Sequence, residues 1–572
     1  MKKFFLYVIV FSVACLLILT GCSEKNNIFE YEFKSPKVIS ENGNQYTLPC
    51  SNIVPVSADA LNSEYLSDFC KKTKKNADDE TINAIWFGEN IYGVGLASIV
   101  YFNKYASKLN EIEWNALAEI VLYFENNDKS SSIDTVFDYL RKKSEFSDVK
   151  FSYYSKYASK IQESAYFDAM IEQIVNDLIS EKNYTRQQAF ELIYTEGVTI
   201  EACYSDEIQN EINSVYTDNS SFSDTNQNIF PQSACVVMDY SGNVLAMAGG
   251  NNGNNAYNRA YRTLHSIGST VKPIALYTPA LVQNMITFSS IVEDRPVLLN
   301  NHYSDKTVSE QWPSNYNDIY EGDVTITYAL RQSKNTVAVR LADMLGIEKC
   351  FEFLKSRLHF STLNDKDCEL SSMSMGYLSD GVSITELTAS YQMFGNGGFY
   401  YAPRFYKRML NNNGEVIIQR ESISESVIDS DDAWIMNRLL YYNVSKPDGI
   451  ASKAELENGT EVIGKTGTVD NSFGFDTDKL FVGGTPELIC TVWVGFDEPD
   501  SAINDIKYNE PTEIWKNIMN RISKENQKFI PDNSVIETEY CKKSGEIASE
   551  RCPEKENGYY KSDAVPNKCS IH

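Results

Sequence analysis

Two residues at helical spacing, Ser269 and Lys272, combine a nucleophile with a base. They lie in residues 268–273, and the mostly apolar segment 274–281 follows, which predicts a turn that opens a buried helix. Residues three apart share a helix face, so the Lys272 amine would lie one turn from the Ser269 hydroxyl. A serine hydroxyl is a weak nucleophile until a neighbouring base takes its proton. The spacing therefore predicts a serine nucleophile activated by a lysine.

Two further short patterns carry complementary polar groups. Residues 333–335 read Ser-Lys-Asn between helical runs, and residues 465–468 read Lys-Thr-Gly-Thr ahead of an apolar strand predicted at 488–494. Each pattern alone is weak, because the chain holds other matches: Ser147-x-x-Lys150, Ser40-x-Asn42 and Lys543-Ser544-Gly545. What makes the set specific is its order and the element expected at each pattern.

The segments before the serine predict the elements that position it. Residues 235–238 and 243–247 read as two short strands joined by a turn, and the serine helix follows them. Residues 197–200 predict a strand, followed by a helix through residue 212. Residues 218–228, rich in Ser, Asp, Asn and Thr, predict a linker.

In this order the three patterns resemble those of class A penicillin-binding proteins, from about residue 81 to the tail. The tail, with Cys541-x-x-Ser544-Gly545 and then Cys552-Pro553, is similar to that of Gram-positive members. The resemblance implies an α+β fold of the penicillin-binding and serine β-lactamase-like type. It consists of a transpeptidase domain, with an antiparallel sheet flanked by helices, and a smaller, mainly helical N-terminal domain.

The chemistry and the resemblance together assign roles. Ser269 attacks a peptide carbonyl once Lys272 has taken its proton, which requires a neutral amine; burial and the cation Lys465 would both lower the pKa of Lys272. The resemblance implies an oxyanion hole formed by the backbone N–H groups of Ser269 and Thr468. The predicted catalytic residues are Ser269, Lys272, Ser333 and Lys465, and the predicted substrate-binding residues are Asn335, Thr466, Gly467 and Thr468.

The function implied is a peptidoglycan D,D-transpeptidase that cross-links stem peptides ending in D-Ala-D-Ala and is acylated by β-lactams. A D,D-carboxypeptidase uses the same residues with water as acceptor, so the motifs leave it open. A serine β-lactamase would need a second base, and no glutamate is identifiable in that role. A non-catalytic β-lactam or cell-wall sensor is the remaining alternative.

The region from residue 81 resembles only the C-terminal part of the family's glycosyltransferase domain. The E-D-x-x-F motif of that domain has no match in residues 23–80; Glu293-Asp294 is the nearest dipeptide and lies after Ser269. We therefore expect a degenerate helical scaffold without glycosyl transfer, in which Glu119 and Glu125 are exposed. A separate glycosyltransferase is then an expected partner.

The N-terminus reads as a targeting segment. Lys2 and Lys3 precede an apolar run at 4–19, which closes with Leu-Thr-Gly-Cys at 19–22, a sequence that resembles a bacterial lipobox. We expect Cys22 to be lipidated, with an uncleaved membrane anchor as the alternative. Either reading places the protein on the extracytoplasmic face of the membrane.

Length and composition bound the remaining possibilities. The chain of 572 residues can hold two to four domains, and its formal charge of −26 argues against nucleic-acid binding. With only four histidines we expect no metal and no cofactor, although a Ser-His-Asp site using His265 stays open beside the favoured structural role. Ten cysteines outside the signal and lipobox invite disulfides, but free thiols are also open and connectivity cannot be assigned.

Six segments are expected from these patterns. They are a lipoprotein signal peptide (1–21), a polar N-terminal region (22–80), a degenerate glycosyltransferase-like helical region (81–196), a connector (197–230), the transpeptidase domain (231–530) and a cysteine-containing tail (531–572).

Overall fold

The computed structural model describes most of the chain from residue 36 onward. The described residues are 36–48, 56, 58–88, 91–102, 104, 106–127, 131–151, 164–217, 231–251, 257–297, 312–316, 318–471, 473–497, 501–503 and 510–572. The predicted signal peptide, Cys22 and the predicted linker at 218–228 lie outside these ranges. Within them, no helix has both the length and the apolar character needed to cross a bilayer.

The described strands are short except around the central sheet. They are β1 (Lys37–Ile39), β2 (Gln45–Thr47), β3 (Thr199–Ala202), β4 (Gln232–Asp239), β5 (Val244–Ala248), β6 (Ile291–Asp294), β7 (Gly322–Thr325), β8 (Phe399–Tyr401), β9 (Tyr406–Leu410), β10 (Val416–Gln419), β11 (Ser424–Ser426), β12 (Ile463–Asp470), β13 (Asp476–Gly484), β14 (Leu488–Gly495), β15 (Ile536–Cys541) and β16 (Lys555–Tyr560).

The described helices often follow one another without an intervening strand, above all between β2 and β3 and between β7 and β8. They are α1 (Ser63–Thr73), α2 (Asp79–Ala84), α3 (Gly93–Phe102), α4 (Glu111–Asn126), α5 (Ile133–Arg141), α6 (Ala165–Lys182), α7 (Arg186–Thr195), α8 (Asp206–Thr217), α9 (Thr278–Val282), α10 (Ile326–Arg331), α11 (Asn335–Leu345), α12 (Ile347–Glu352), α13 (Leu370–Met375), α14 (Ile384–Ser390), α15 (Ser430–Ser445) and α16 (Pro511–Ile522).

The central sheet has five antiparallel strands in the order β12-β13-β14-β4-β5. Side chains alternate across a strand, and on β4 both faces are buried. Val236 and Met238 pack in the cluster that contains the serine helix, while Cys235 and Val237 pack in the cluster formed with α8 and α16. The sheet is therefore covered by helices on both faces. The predicted strands before the serine and the α+β fold are confirmed.

A second five-stranded sheet joins distant parts of the chain, in the order β10-β9-β3-β1-β2. β1 runs parallel to β3, and β3 pairs antiparallel with β9. The region 22–80, predicted from its composition as polar and low in pattern, thus contributes two strands to the same sheet as residues 406–419. The strand and helix predicted after residue 197 are confirmed as β3 and α8.

Helices α1 to α5 form a unit with its own apolar cluster, which extends from Leu61 to Phe146. α1 and α2 already contribute to it, although the helical region was predicted to begin at residue 81; the six segment boundaries remain predictions. Glu119 on α4 does not have the predicted exposure, because its side chain is only 12% exposed and pairs with Lys72 and Lys143. Glu125 is exposed and pairs with Lys75.

Candidate active site

Ser269 lies in a tight turn that is packed against the edge of the central sheet. Residues Gly268–Thr270 form a single 3₁₀ turn, and a wide helical turn, Pro273–Tyr277, continues it into α9. Gly268 has a φ of +52°, and a Cβ there would lie 2.4 Å from the Thr468 carbonyl oxygen. Only glycine allows both the left-handed backbone and this approach. The partly exposed Ser269 is thereby held beside β12.

Lys272 connects the serine turn to the pattern at 333–335. Its side chain is entirely buried, and its Nζ lies 2.7 Å from the Ser333 carbonyl oxygen, 2.6 Å from Asn335 Oδ1 and 3.2 Å from Ser333 Oγ. A neutral amine has two N–H donors and one lone pair. The two short contacts use the donors, which leaves the lone pair free to accept a proton from a hydroxyl.

Ser333 is the residue at which the three patterns meet. Lys465 Nζ donates to Ser333 Oγ at 2.9 Å, and Lys272 Nζ lies on the same hydroxyl. Ser333 also has a φ of +54°, which is strained for a residue with a Cβ. Backbone strain of this kind concentrates at functional sites, where the surrounding structure enforces it. The strained backbone places one hydroxyl between two lysines.

Both lysines are poised to give up their charge. Burial, and then the neighbouring Lys465 cation, hold the pKa of Lys272 well below its ordinary value. Burial lowers the pKa of Lys465 to about 7. When two amines lie close to one hydroxyl, a positive charge on one amine lowers the pKa of the other, so the two are not protonated independently. The pair can therefore hold one neutral amine and one cation near neutral pH.

Three of the predicted substrate-binding residues, Thr466, Gly467 and Thr468, lie on the edge strand β12, whereas Asn335 begins α11. Thr466 and Thr468 are partly exposed. Among the described strands, β12 pairs on one side only, so its other edge can receive an extended peptide. Gly467 also has a structural reason to be a glycine, beside its predicted role in substrate binding. A Cβ there would lie 2.6 Å from the Ile267 carbonyl oxygen, so this glycine allows the serine turn to approach the strand.

Asp294, at the end of β6, holds the backbone of residues 333–336 in place through hydrogen bonds. It was not predicted as a site residue. It is fully buried and accepts hydrogen bonds from Thr336 Oγ1 at 2.5 Å and Asn315 Nδ2 at 2.7 Å. Asn315 Oδ1 in turn accepts the Asn335 backbone N–H at 2.9 Å. The sequence offered Asp294 only as a failed match to a glycosyltransferase motif. No pattern in the sequence around Asp294 indicates this role.

His265 is not arranged as the base of a Ser-His-Asp site. Its ring packs at a tilt of 41° against Trp493 with centroids 4.4 Å apart, and Nδ1 lies 3.6 Å from Asp478. Nε2 is buried without a hydrogen-bond partner in the described part of the chain. The favoured structural role of this histidine agrees with these contacts.

The other matches to the three patterns lie elsewhere in the structure. Ser147 is exposed and donates to the Ser144 carbonyl, Ser40 donates to Asp206, and Ser544 donates to Cys569 Sγ. None of these contacts reaches a lysine. The contacts of two lysines with the Ser333 hydroxyl therefore distinguish the site from the other matches to the three patterns.

A serine, two buried lysines and an edge strand, set in a helix-covered antiparallel sheet, define the class of penicillin-recognising serine proteins. Residues 233–519, half of the chain, match the family described as penicillin binding protein transpeptidase domain. The chain belongs to this family, and the predicted resemblance to class A penicillin-binding proteins is confirmed.

Two relatives with known sequences are penicillin-binding proteins. The chain is 30% identical over 482 residues to penicillin-binding protein 1A of Clostridium acetobutylicum, covering 77% of this chain and 57% of the relative. It is 27% identical over 477 residues to penicillin-binding protein 1F of Bacillus subtilis, covering 80% and 63%. The chain thus spans little more than half the length of the first of these relatives.

Two solved structures share the fold. Penicillin-binding protein 1A from Haemophilus influenzae superposes with a TM-score of 0.59 at 17% identity, covering 94% of this chain and 99% of that chain. The PonA1 protein from Mycobacterium tuberculosis, solved in complex with penicillin V, gives a TM-score of 0.52 at 21% identity, covering 64% and 95%.

Proposed function

We propose that this protein is a D,D-transpeptidase that cross-links peptidoglycan stem peptides through an acyl-enzyme on Ser269 and is acylated there by β-lactams. The observation that carries the proposal is the contact of both Lys272 and Lys465 with the Ser333 hydroxyl. It joins the predicted base, the predicted carboxylate anchor and a proton relay in one cleft.

The steps follow from these contacts. Ser269 Oγ forms a bond to the penultimate D-Ala carbonyl carbon as its proton passes to the neutral Lys272 amine. The C–N bond then breaks, and the proton returns through Ser333 Oγ to the leaving D-Ala amine. An acceptor amine next attacks the ester, loses a proton by the reverse route and releases Ser269. Lys465 holds the terminal carboxylate of the donor by charge.

Mass spectrometry after incubation with benzylpenicillin tests the nucleophile. The intact drug should add to the protein on a peptide containing Ser269, and the Ser269→Ala variant should gain no mass. Ser147→Ala is the matched control, since it removes the other S-x-x-K serine and should label normally. Labelling of folded Ser269→Ala at another residue would overturn the assignment.

Product analysis separates transpeptidase from carboxypeptidase. Incubation with a D-Ala-D-Ala pentapeptide and an acceptor amine should yield a cross-linked product. Release of D-Ala with only shortened peptide would favour the carboxypeptidase. Rapid turnover of nitrocefin instead of a stable adduct would favour a β-lactamase, and no acylation in folded protein would favour the sensor.

The helical unit at α1 to α5 is proposed to lack glycosyl transfer. Its conspicuous carboxylate, Glu119, is engaged by two lysines; burial acts to raise its pKa, but hydrogen bonds from Lys143 and Lys72 outweigh burial and lower the pKa. Such a group serves as an ion-pair partner and is a poor proton donor. Incubation of the full chain with lipid II should give no glycan, and polymer formation would refute this part of the proposal.

Export and lipidation at Cys22 complete the proposal and rest on the sequence of residues 1–22. Metabolic labelling with a radioactive fatty acid should tag the protein in a bacterial host, and Cys22→Ala should abolish the label. Cys15→Ala, within the apolar run, is the matched control and should retain it. A membrane-bound protein that never takes up label would favour the uncleaved anchor.

A further inference from the structure

Four potential metal ligands from three parts of the C-terminal tail meet at one point. Cys541 ends β15, Cys552 lies in the loop before β16, and Cys569 and His572 follow the hairpin. The three sulfur atoms and a ring nitrogen of His572 all lie within 4.8 Å of one another. The three thiols are buried and unpaired. No role in acyl transfer uses these side chains.

The distances fit a tetrahedral zinc ion. His572 Nδ1 lies 3.4 Å from Cys541 Sγ and 3.5 Å from Cys569 Sγ. Zinc–sulfur bonds of about 2.3 Å and zinc–nitrogen bonds of about 2.0 Å at a tetrahedral angle would separate these atoms by about 3.6 Å. Three cysteines and one histidine are also a usual ligand set for structural zinc.

Further groups are placed to support thiolate ligands. The Ser549 backbone N–H donates to Cys552 Sγ at 3.2 Å, and Ser544 Oγ donates to Cys569 Sγ at 3.3 Å. Donors of this kind orient ligands and stabilise their negative charge. The turn after Cys541 is closed by the Gly545 N–H, which donates to the Cys541 carbonyl at 2.8 Å.

We infer that the tail holds a structural zinc ion in a closed Cys₃His site: Cys541, Cys552, Cys569 and His572. Four protein ligands complete the tetrahedron, so the ion has no open position for catalysis. The proposed site departs from the expectation of no metal, which rested on the low histidine count, because this ligand set is supplied mainly by cysteines.

The ion would fasten the tail to the catalytic domain. The Ser289 hydroxyl donates to the Gly545 carbonyl at 2.6 Å, next to the proposed site. On the same hairpin, Glu556 pairs with Arg331 at 3.2 Å and Lys446 at 3.1 Å. Arg331 ends α10, two residues before Ser333. Zinc would link the β15–β16 hairpin to residues 569–572. It would thereby stabilise the hairpin whose Glu556 pairs with Arg331, close to Ser333.

Metal analysis of the full chain, purified in detergent without chelator, tests the inference. Close to one zinc per chain is expected, and Cys552→Ser and His572→Ala should each weaken retention about 10-fold or more. Cys368→Ser is the matched control, because Cys368 is a free thiol outside the cluster, and it should keep its zinc.

A measurement on the unaltered chain covers the case in which the variants misfold. After chelation, added Co²⁺ should give the thiolate charge-transfer band and the intense visible bands of a tetrahedral site, and zinc should displace it. Chelation should also lower the melting temperature, with zinc restoring it. A chain that binds neither metal, or a disulfide between two of the three cysteines in folded protein, would overturn the inference.

Discussion

The ammonium group of Lys334 lies 3.0 Å from Asp294, a carboxylate with no solvent exposure. Lys334 is the middle residue of the second pattern, yet its side chain points away from the two active-site lysines and into this ion pair. Burial acts to raise the pKa of Asp294, but its hydrogen bonds, first from Thr336 and then from Asn315 and Lys334, outweigh burial and lower the pKa. The ionised Asp294 therefore anchors the backbone that carries Ser333.

Replacing Asp294 tests this anchoring role. Asp294→Asn removes an ionised acceptor of the hydrogen bonds from Thr336 and Asn315, while Lys334 keeps its ion pair with Glu321 at 2.7 Å. Loss of hydrogen bonds to a charged group should lower the unfolding free energy by about 2 kcal/mol. The acylation rate constant should also fall, because the hydrogen bonds that hold the backbone around Ser333 and Asn335 are weakened. Urea unfolding and the kinetics of labelling by a fluorescent penicillin measure the two effects. Asp323→Asn, on the exposed side of β7, is the control; equal behaviour of the two variants would remove Asp294 from the site.

The two lysines predict a bell-shaped dependence of acylation on pH. The rate should rise with pH as Lys272, whose pKa is lowered most by burial, becomes a neutral base. It should decline as Lys465, with a pKa of about 7, loses the charge that holds the carboxylate. A bound carboxylate stabilises that charge, so the decline should shift to higher pH at saturating drug.

Arginine at position 465 separates the two limbs of this profile. Lys465→Arg keeps its charge throughout the range, so the variant should be slower overall but should lose the alkaline decline. Acylation rates across acidic, neutral and alkaline buffers provide the measurement. An alkaline decline that persists unchanged in Lys465→Arg would assign it to another group.

Replacing Ser333 by glycine should abolish most activity, yet it should leave a more stable protein than replacement by alanine. Ser333→Gly and Ser333→Ala both remove the hydroxyl, so acylation should fall about 100-fold or more in each. Only glycine relieves the left-handed backbone, so Ser333→Gly should be more stable than Ser333→Ala by about 1 kcal/mol. Asn284→Gly changes another residue with positive φ and should leave acylation unchanged. Equal stability of the two Ser333 variants would show that the backbone is unstrained.

The close approach of Gly268 to β12 predicts that a side chain at this position would displace the nucleophile Ser269. In Gly268→Ala the new methyl group would collide with the Thr468 carbonyl, so the serine turn must move away from β12. Displacements of about 1 Å at reacting groups cost about 100-fold in rate. Gly414 also has a positive φ, +80°, but open space around its Cβ position, so Gly414→Ala should cost stability without affecting acylation. Normal acylation by folded Gly268→Ala would contradict the close approach.

Local patterns were sufficient for the elements around the serine. Short apolar runs predicted the strands on either side of the turn at 239–242, and the apolar run after Ser269 predicted a buried helical segment. These features depend on neighbours a few residues away, which is the range that periodicity reports. By contrast, β1 and β2 have only three residues each, too few for a period to show. β1 forms by pairing with β3, and β2 by pairing with β1.

The sequence by itself determined the family resemblance and the residues able to perform acyl transfer, because order and residue type are written in the chain. The tertiary structure alone decided which of several matching patterns act together. Ser333 lies between Lys272 and Lys465, whereas Ser147 lies in solvent. It also decided that Asp294 supports the site and that three cysteines meet His572. These contacts depend on packing between segments that are separated in the chain, by 42 residues for Asp294 and Thr336 and by 132 for Ser333 and Lys465, and no local propensity encodes them.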